Sequence, residues 1–168
     1  MNAAPIRLRR WTRSEYYRLD ELGIFHPAER LELVSGQIVV KERQTPAHAT
    51  AIRLAREVFE AAFGPGWDVR TRSPISLDEE SEPEPDIAVV PGRPRDYIAA
   101  HPSCPSLVLE VAEATLSLDR NYKSSLYARA QIPDTGWSTW WTRSWRSTEI
   151  RPLILTHLTS GSTPRSQS

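Results

Sequence analysis

Two short apolar runs constrain this chain more than anything else in it: residues 87–90 are unbroken, and residues 107–111 are interrupted only by Glu110. Continuous apolar runs of this length suit strands buried on both faces, and such strands need helices above and below the sheet. The expectation is therefore an α/β fold.

The rest of the sequence supplies those layers. Residues 12–22 read as a short helix, with Thr12 as N-cap and Glu15 completing a capping box. Residues 31–34 and 37–41 are strand-like and joined by Ser35-Gly36, a two-residue turn of the kind that closes a β-hairpin. Residues 47–63 place Ile52, Ala55, Val58, Phe59, Ala62 and Phe63 at helical spacing and stop at Gly64-Pro65-Gly66. Residues 67–71 and 74–77 look like short strands, and 78–85 is an acidic, proline-bearing loop. After a loop over 91–105, residues 119–130 form a last helix with Tyr122, Leu126 and Ala130 on one stripe.

At 168 residues the chain has the length of one domain. Cys104 is its single cysteine, so neither an intramolecular disulfide nor a cysteine-based zinc site is available, which fits a reducing cytoplasm. No apolar run approaches the roughly 20 residues of a membrane span, and no apolar stretch follows the early arginines as it would in a secretory leader. The chain is formally neutral, but the segment from Thr135 onward carries four arginines against one glutamate, leaving the preceding part net negative. A body of that sign does not bind nucleic acid by bulk electrostatics, so contact with DNA must be local or metal-assisted. Only Lys41 and Lys123 among 21 basic residues are lysine, which singles out each of them.

Asp86 follows Pro85 and stands at the mouth of the first buried run. Glu110 lies near the end of the second, an expensive place for a charge unless it is paired or binds a cation. Two carboxylates held together repel, and a divalent metal relieves the repulsion. Mg²⁺ takes one or two protein carboxylates together with phosphate oxygens and acidifies a bound water, which is the chemistry of phosphodiester cleavage. The alternative places Asp86 at a loop cap and Glu110 in a surface salt bridge.

The stretches Arg30-Leu-Glu-Leu-Val-Ser-Gly-Gln-Ile, Glu84-Pro-Asp-Ile-Ala-Val-Val and Leu107-Val-Leu-Glu-Val, then Asp119 through Lys123 to Tyr127-Ala128 and Ile132-Pro133, occur in order. Together they resemble the Uma-type (Uma-two) family of restriction-endonuclease-like proteins, a bacterial branch of the PD-(D/E)XK nuclease superfamily. The resemblance implies a restriction-endonuclease-like core, a central mixed sheet flanked by helices. It implies DNA phosphodiester hydrolysis with Mg²⁺ or Mn²⁺ as cofactor and DNA as partner, and it is compatible with a homodimer. Position by position, Asp86 matches the acid of the PD element and Glu110 the first residue of the (D/E)XK element. Ala112 stands where that element's lysine belongs, and Lys123 on the following helix matches the lysine of the Uma-type pattern. Glu32 matches a further acid able to help hold the metal, and His48 matches an accessory position. The implied site is thus Glu32, Asp86 and Glu110 around a metal, with Asp86, Glu110 and Lys123 catalytic. Against this stand an ordinary helical ion pair between Asp119 and Lys123, a solvent-facing Glu32, and His48 as a helix N-terminal hydrogen-bonder. At the level of the whole chain, the rivals are an inactive nuclease-fold protein that binds nucleic acid or a protein partner, and a non-functional product.

That last rival comes from the tail. From Thr135 onward Trp137, Trp140, Trp141 and Trp145 fall close together with no period of two or 3.6. Restoring one nucleotide after the Asp134 codon turns these tryptophans into aliphatic strand residues, because tryptophan has a single codon. The expected organisation is a domain over 1–134 and an out-of-frame, poorly ordered tail over 135–168, with the C-terminal strands lost.

Overall fold

The structure, a computed structural model, describes residues 8–41, 43–111 and 117–138, with the backbone alone at 117–121 and 136–138. Ala112 and the tryptophans at 140, 141 and 145 lie outside the described residues.

The capping box forms as its spacing predicts. The Glu15 amide donates to Thr12 Oγ1 at 3.3 Å and the Thr12 amide donates to Glu15 Oε2 at 3.0 Å, opening helix α1 at Arg13–Glu21. Strands β1 (Leu31–Val34) and β2 (Gln37–Val40) pair antiparallel. Their turn residues Ser35 and Gly36 both take positive φ, 49° and 75°, the backbone of the tight hairpin turn whose twist suits the flanking strands.

Helix α2 (Pro46–Phe63) has Thr45 as N-cap and buries Ala51, Ile52, Ala55 and Phe59; Ala62, expected on this face, is exposed. It lies over a sheet of β3 (Trp67–Thr71), β4 (Ile87–Pro91), β5 (Leu107–Val111) and β6 (Asp134–Ser138), in that spatial order. The β3–β4 and β4–β5 pairs are antiparallel, while β6 runs parallel to β5, so the sheet is mixed. Helix α3 (Ser117–Arg129) is the crossover that parallel neighbours require. The expected boundary after Asp134 falls inside β6, which continues to Ser138.

Alternation along the strands divides the core in two. Ile87 and Val89 of β4 pack with Val69, Val111 and the buried face of α2. Ala88 of β4 and Val108 of β5 pack on the opposite side with Val34, Ile75, Leu126 and Tyr127. All four residues 87–90 are buried, as an unbroken apolar run requires.

Two local expectations are corrected. Residues 74–77 form no strand, because their amides go to three separate places: Ile75 to the Pro83 carbonyl, Ser76 to Pro102 and Leu77 to Ser81. On α3, Leu126 is buried and Ala130 packs against the core as expected, but Tyr122 is not on that face. Tyr122 is 51% exposed, and the buried positions are Lys123, Leu126 and Tyr127. Among the described residues no helix is long and apolar enough to cross a membrane.

Candidate active site

The β4–β5 register builds the centre of the site. Ile87 pairs with Leu109, so the residue before the first and the residue after the second, Asp86 and Glu110, come opposite one another at the end of the ladder. The Asp86 amide donates to Glu110 Oε2 at 3.3 Å, and the Val111 amide donates to Asp86 Oδ2 at 2.8 Å. Both side chains are buried, so Glu110 is not in a surface salt bridge. His48, at the start of α2, brings its ring Nε2 to 3.0 Å from Asp86 Oδ2, while its amide bonds the Thr45 hydroxyl oxygen at 3.1 Å. Thr45 thus caps the helix through the His48 amide, and the His48 ring reaches the acid pair.

Helix α3 closes the pocket from the other face of the sheet. Lys123 and Tyr127 are one turn apart, so both side chains point the same way. Lys123 Nζ lies 3.2 Å from Glu110 Oε1 and 2.8 Å from Glu32 Oε1. Tyr127 donates its hydroxyl to the same Glu110 oxygen at 2.7 Å. Lys123 is only 2% exposed, which a solvent-facing helical pair does not allow. The side chain of Asp119, its expected alternative partner, lies outside the described residues.

Glu32 projects from β1 and is 2% exposed, so the solvent-facing reading of this residue fails. Its Oε2 accepts the Glu84 amide at 2.9 Å and lies 3.9 Å from Lys41 Nζ. Lys41 in turn donates to the Glu84 carbonyl oxygen at 2.6 Å. Glu32, His48, Asp86, Glu110 and Lys123 are therefore brought together, and Lys41 and Tyr127 join them without having been singled out as site residues. The available signals were the scarcity of lysine and the four-residue step from Lys123 to Tyr127.

Burial raises the Glu110 carboxyl above the usual carboxylate range; the Lys123 ammonium opposes the shift and the Asp86 charge adds to it. Low dielectric around the pair makes each nearby charge count for more than it would in water.

Among the described residues no three His, Cys, Asp or Glu side chains stand close enough together to hold a metal ion. The pair Asp86 and Glu110 still fits a hard divalent cation, which needs one or two carboxylates and completes its shell with water and substrate oxygens. The contacts of Asp86 with His48 and with the Val111 amide both run through Oδ2.

Comparison with known proteins bears on this pocket directly. The model of the family described as "Uma2: Putative restriction endonuclease" matches residues 13–147, a span that holds every residue of the site. A solved structure described as "a putative nuclease belonging to DUF820" from Anabaena variabilis ATCC 29413 superposes with a TM-score of 0.55 at 17% identity, covering 79% of this chain and 72% of that one. At that identity the likeness is one of fold. No curated protein matches the sequence.

Proposed function

We propose, from the premise that this chain belongs to the Uma2 family of restriction-endonuclease-like proteins, that the pocket between β4, β5 and α3 hydrolyses DNA phosphodiester bonds with the help of a divalent cation. The observation that carries the proposal is the buried, cross-strand pairing of Asp86 with Glu110, with the Lys123 ammonium beside them. Asp86 and Glu110 are the residues that would hold Mg²⁺ or Mn²⁺, and the bound cation would supply charge neutralisation for the phosphate and a more acidic water. Lys123 offers a compact positive charge to a phosphate oxygen on which negative charge builds as water adds. His48 orients Asp86. The net reaction places water across one P–O bond, giving a phosphomonoester and a free hydroxyl.

The test is nicking of supercoiled plasmid by the purified full chain in Mg²⁺ or Mn²⁺. Asp86→Asn is expected to abolish the activity, as is chelation of the cation. Nicking by Asp86→Asn at the parental rate overturns the proposal. A second reading, DNA or protein binding without cleavage, is favoured by Ala112 at the usual lysine position. It predicts retention of labelled DNA by the chain with chelator present and no product with either cation.

A further inference from the structure

Glu32 fits poorly as the third member of a cation site, because both of its oxygens are already committed. Oε1 lies 2.8 Å from Lys123 Nζ, and Oε2 accepts the Glu84 amide at 2.9 Å with Lys41 Nζ at 3.9 Å. The two lysines of the chain thus meet at this one carboxylate. Each is fixed from its far side as well, Lys41 by the Glu84 carbonyl oxygen at 2.6 Å and Lys123 by Glu110 Oε1 at 3.2 Å. A cation approaching Glu32 would have to displace a buried lysine and a backbone hydrogen bond. One approaching Asp86 and Glu110 Oε2 meets, among the described residues, the single 3.3 Å contact from the Asp86 amide to Oε2.

We propose that Glu32 is a positioning residue for Lys123 rather than a cation ligand, with Lys41 holding Glu32 in place. The proposal rests on the nuclease reading above and assigns a different part to one of its acids. Glu110 gives Lys123 a second anchor, but that anchor weakens when a divalent cation draws on the same carboxylate. Glu32 then keeps the ammonium in the pocket, aimed at the phosphate. Tyr127, bonded to Glu110 Oε1, holds the remaining oxygen of that carboxylate turned toward the Asp86 side.

The experiment measures Mn²⁺ affinity by calorimetry and single-turnover DNA cleavage on the full chain, for Glu32→Gln, Glu110→Gln, Lys123→Met and the Glu32→Gln/Lys123→Met double variant. Glu32→Gln is expected to keep its Mn²⁺ affinity within about twofold of the parent, to keep KM for DNA, and to lose at least about tenfold in cleavage rate. In the double variant the rate is expected to equal that of Lys123→Met alone, since a residue acting through Lys123 has nothing to act on once the lysine is gone. Weakening of Mn²⁺ binding by Glu32→Gln as large as that caused by Glu110→Gln overturns the proposal, as does a double variant in which the two losses multiply. Unchanged Mn²⁺ binding in Glu110→Gln instead overturns the nuclease reading beneath it. If Glu32→Gln does not fold, Glu32→Asp keeps the charge but withdraws it by one methylene, and the same pattern is expected: full Mn²⁺ affinity with slower cleavage.

Discussion

Asp86 and Glu110 face each other across the end of the β4–β5 ladder, and the amide of the first donates to the carboxylate of the second at 3.3 Å. The site is therefore a by-product of strand register. A slip of one residue would turn one acid to the other face of the sheet and separate the pair. The mutual repulsion of the acids is offset by hydrogen bonds and by Lys123.

Glu110 should give stability a pH dependence of definite sign. Burial raises its folded-state pKa above the ordinary 4.5. Between 4.5 and the raised value the folded chain holds a proton that the unfolded chain has released, so unfolding free energy falls as pH rises through that window. The contribution is fully present below 4.5 and lost above the folded value. Glu110→Gln, which cannot titrate, is expected to flatten the slope. Urea midpoints for the two proteins across a pH series provide the check, and identical slopes would exclude Glu110 as the source.

Tyr127→Phe keeps the ring packed in the core and removes only the hydroxyl that donates to Glu110. A buried acceptor left short of a donor typically costs about 1–3 kcal/mol. The denaturant midpoint is expected to fall accordingly with an unchanged m value. An unaltered midpoint would mean that water or Lys123 satisfies the oxygen equally well.

Lys123→Met distinguishes a buried lysine from a surface one. An exposed helical ion pair contributes about 0.3–0.5 kcal/mol, whereas removing one partner from a buried pair costs about 3–5 kcal/mol because the other charge is left uncompensated. The larger loss is expected, since Glu32 and Glu110 both face Lys123. Adding Glu32→Gln to Lys123→Met should recover part of it, because one stranded charge disappears. A loss below about 1 kcal/mol in the single variant would contradict the burial of this network.

The C-terminal segment offers a test of reading frame. Strand β6 carries Gly136 opposite Leu109, and glycine inside a strand weakens it. Rewriting residues 135–152 in the restored frame puts aromatic and aliphatic strand-forming residues there, with better cover for the edge beside β5. Higher soluble yield and a higher denaturant midpoint are expected for the rewritten chain. Equal values would establish the present segment as a working part of the sheet.

Much of this architecture was legible because local chemistry and tertiary demand agreed. The Thr12–Glu15 box, the Ser35-Gly36 turn and the unbroken run of β4 each have a single economical structure. Residues 74–77 misled because Ile75-Ser-Leu mimics strand alternation, yet their amides are satisfied by three different segments and form no ladder. The exposure of Tyr122 on α3 has a sharper cause. Lys123 and Tyr127 take buried positions there because both meet Glu110, a partner that only the fold brings near. Asp86 and Glu110 were legible as charges at the ends of apolar runs, whereas Lys123 was reached through the family resemblance, since no sequence period reports that a polar residue will be buried beside another. Lys41 and Tyr127 escaped because their partners are distant in the chain and only the fold brings them near.

Lysine is ordinarily a surface residue, but here Lys41 and Lys123 retain only 12% and 3% of their side-chain exposure. The folded chain therefore presents almost no lysine to an acylating reagent. Mass added at Lys123 in a timed labelling experiment would record how often the acid pocket opens to solvent, and protection from labelling by a cation or by DNA would be read without the background that lysine-rich proteins impose.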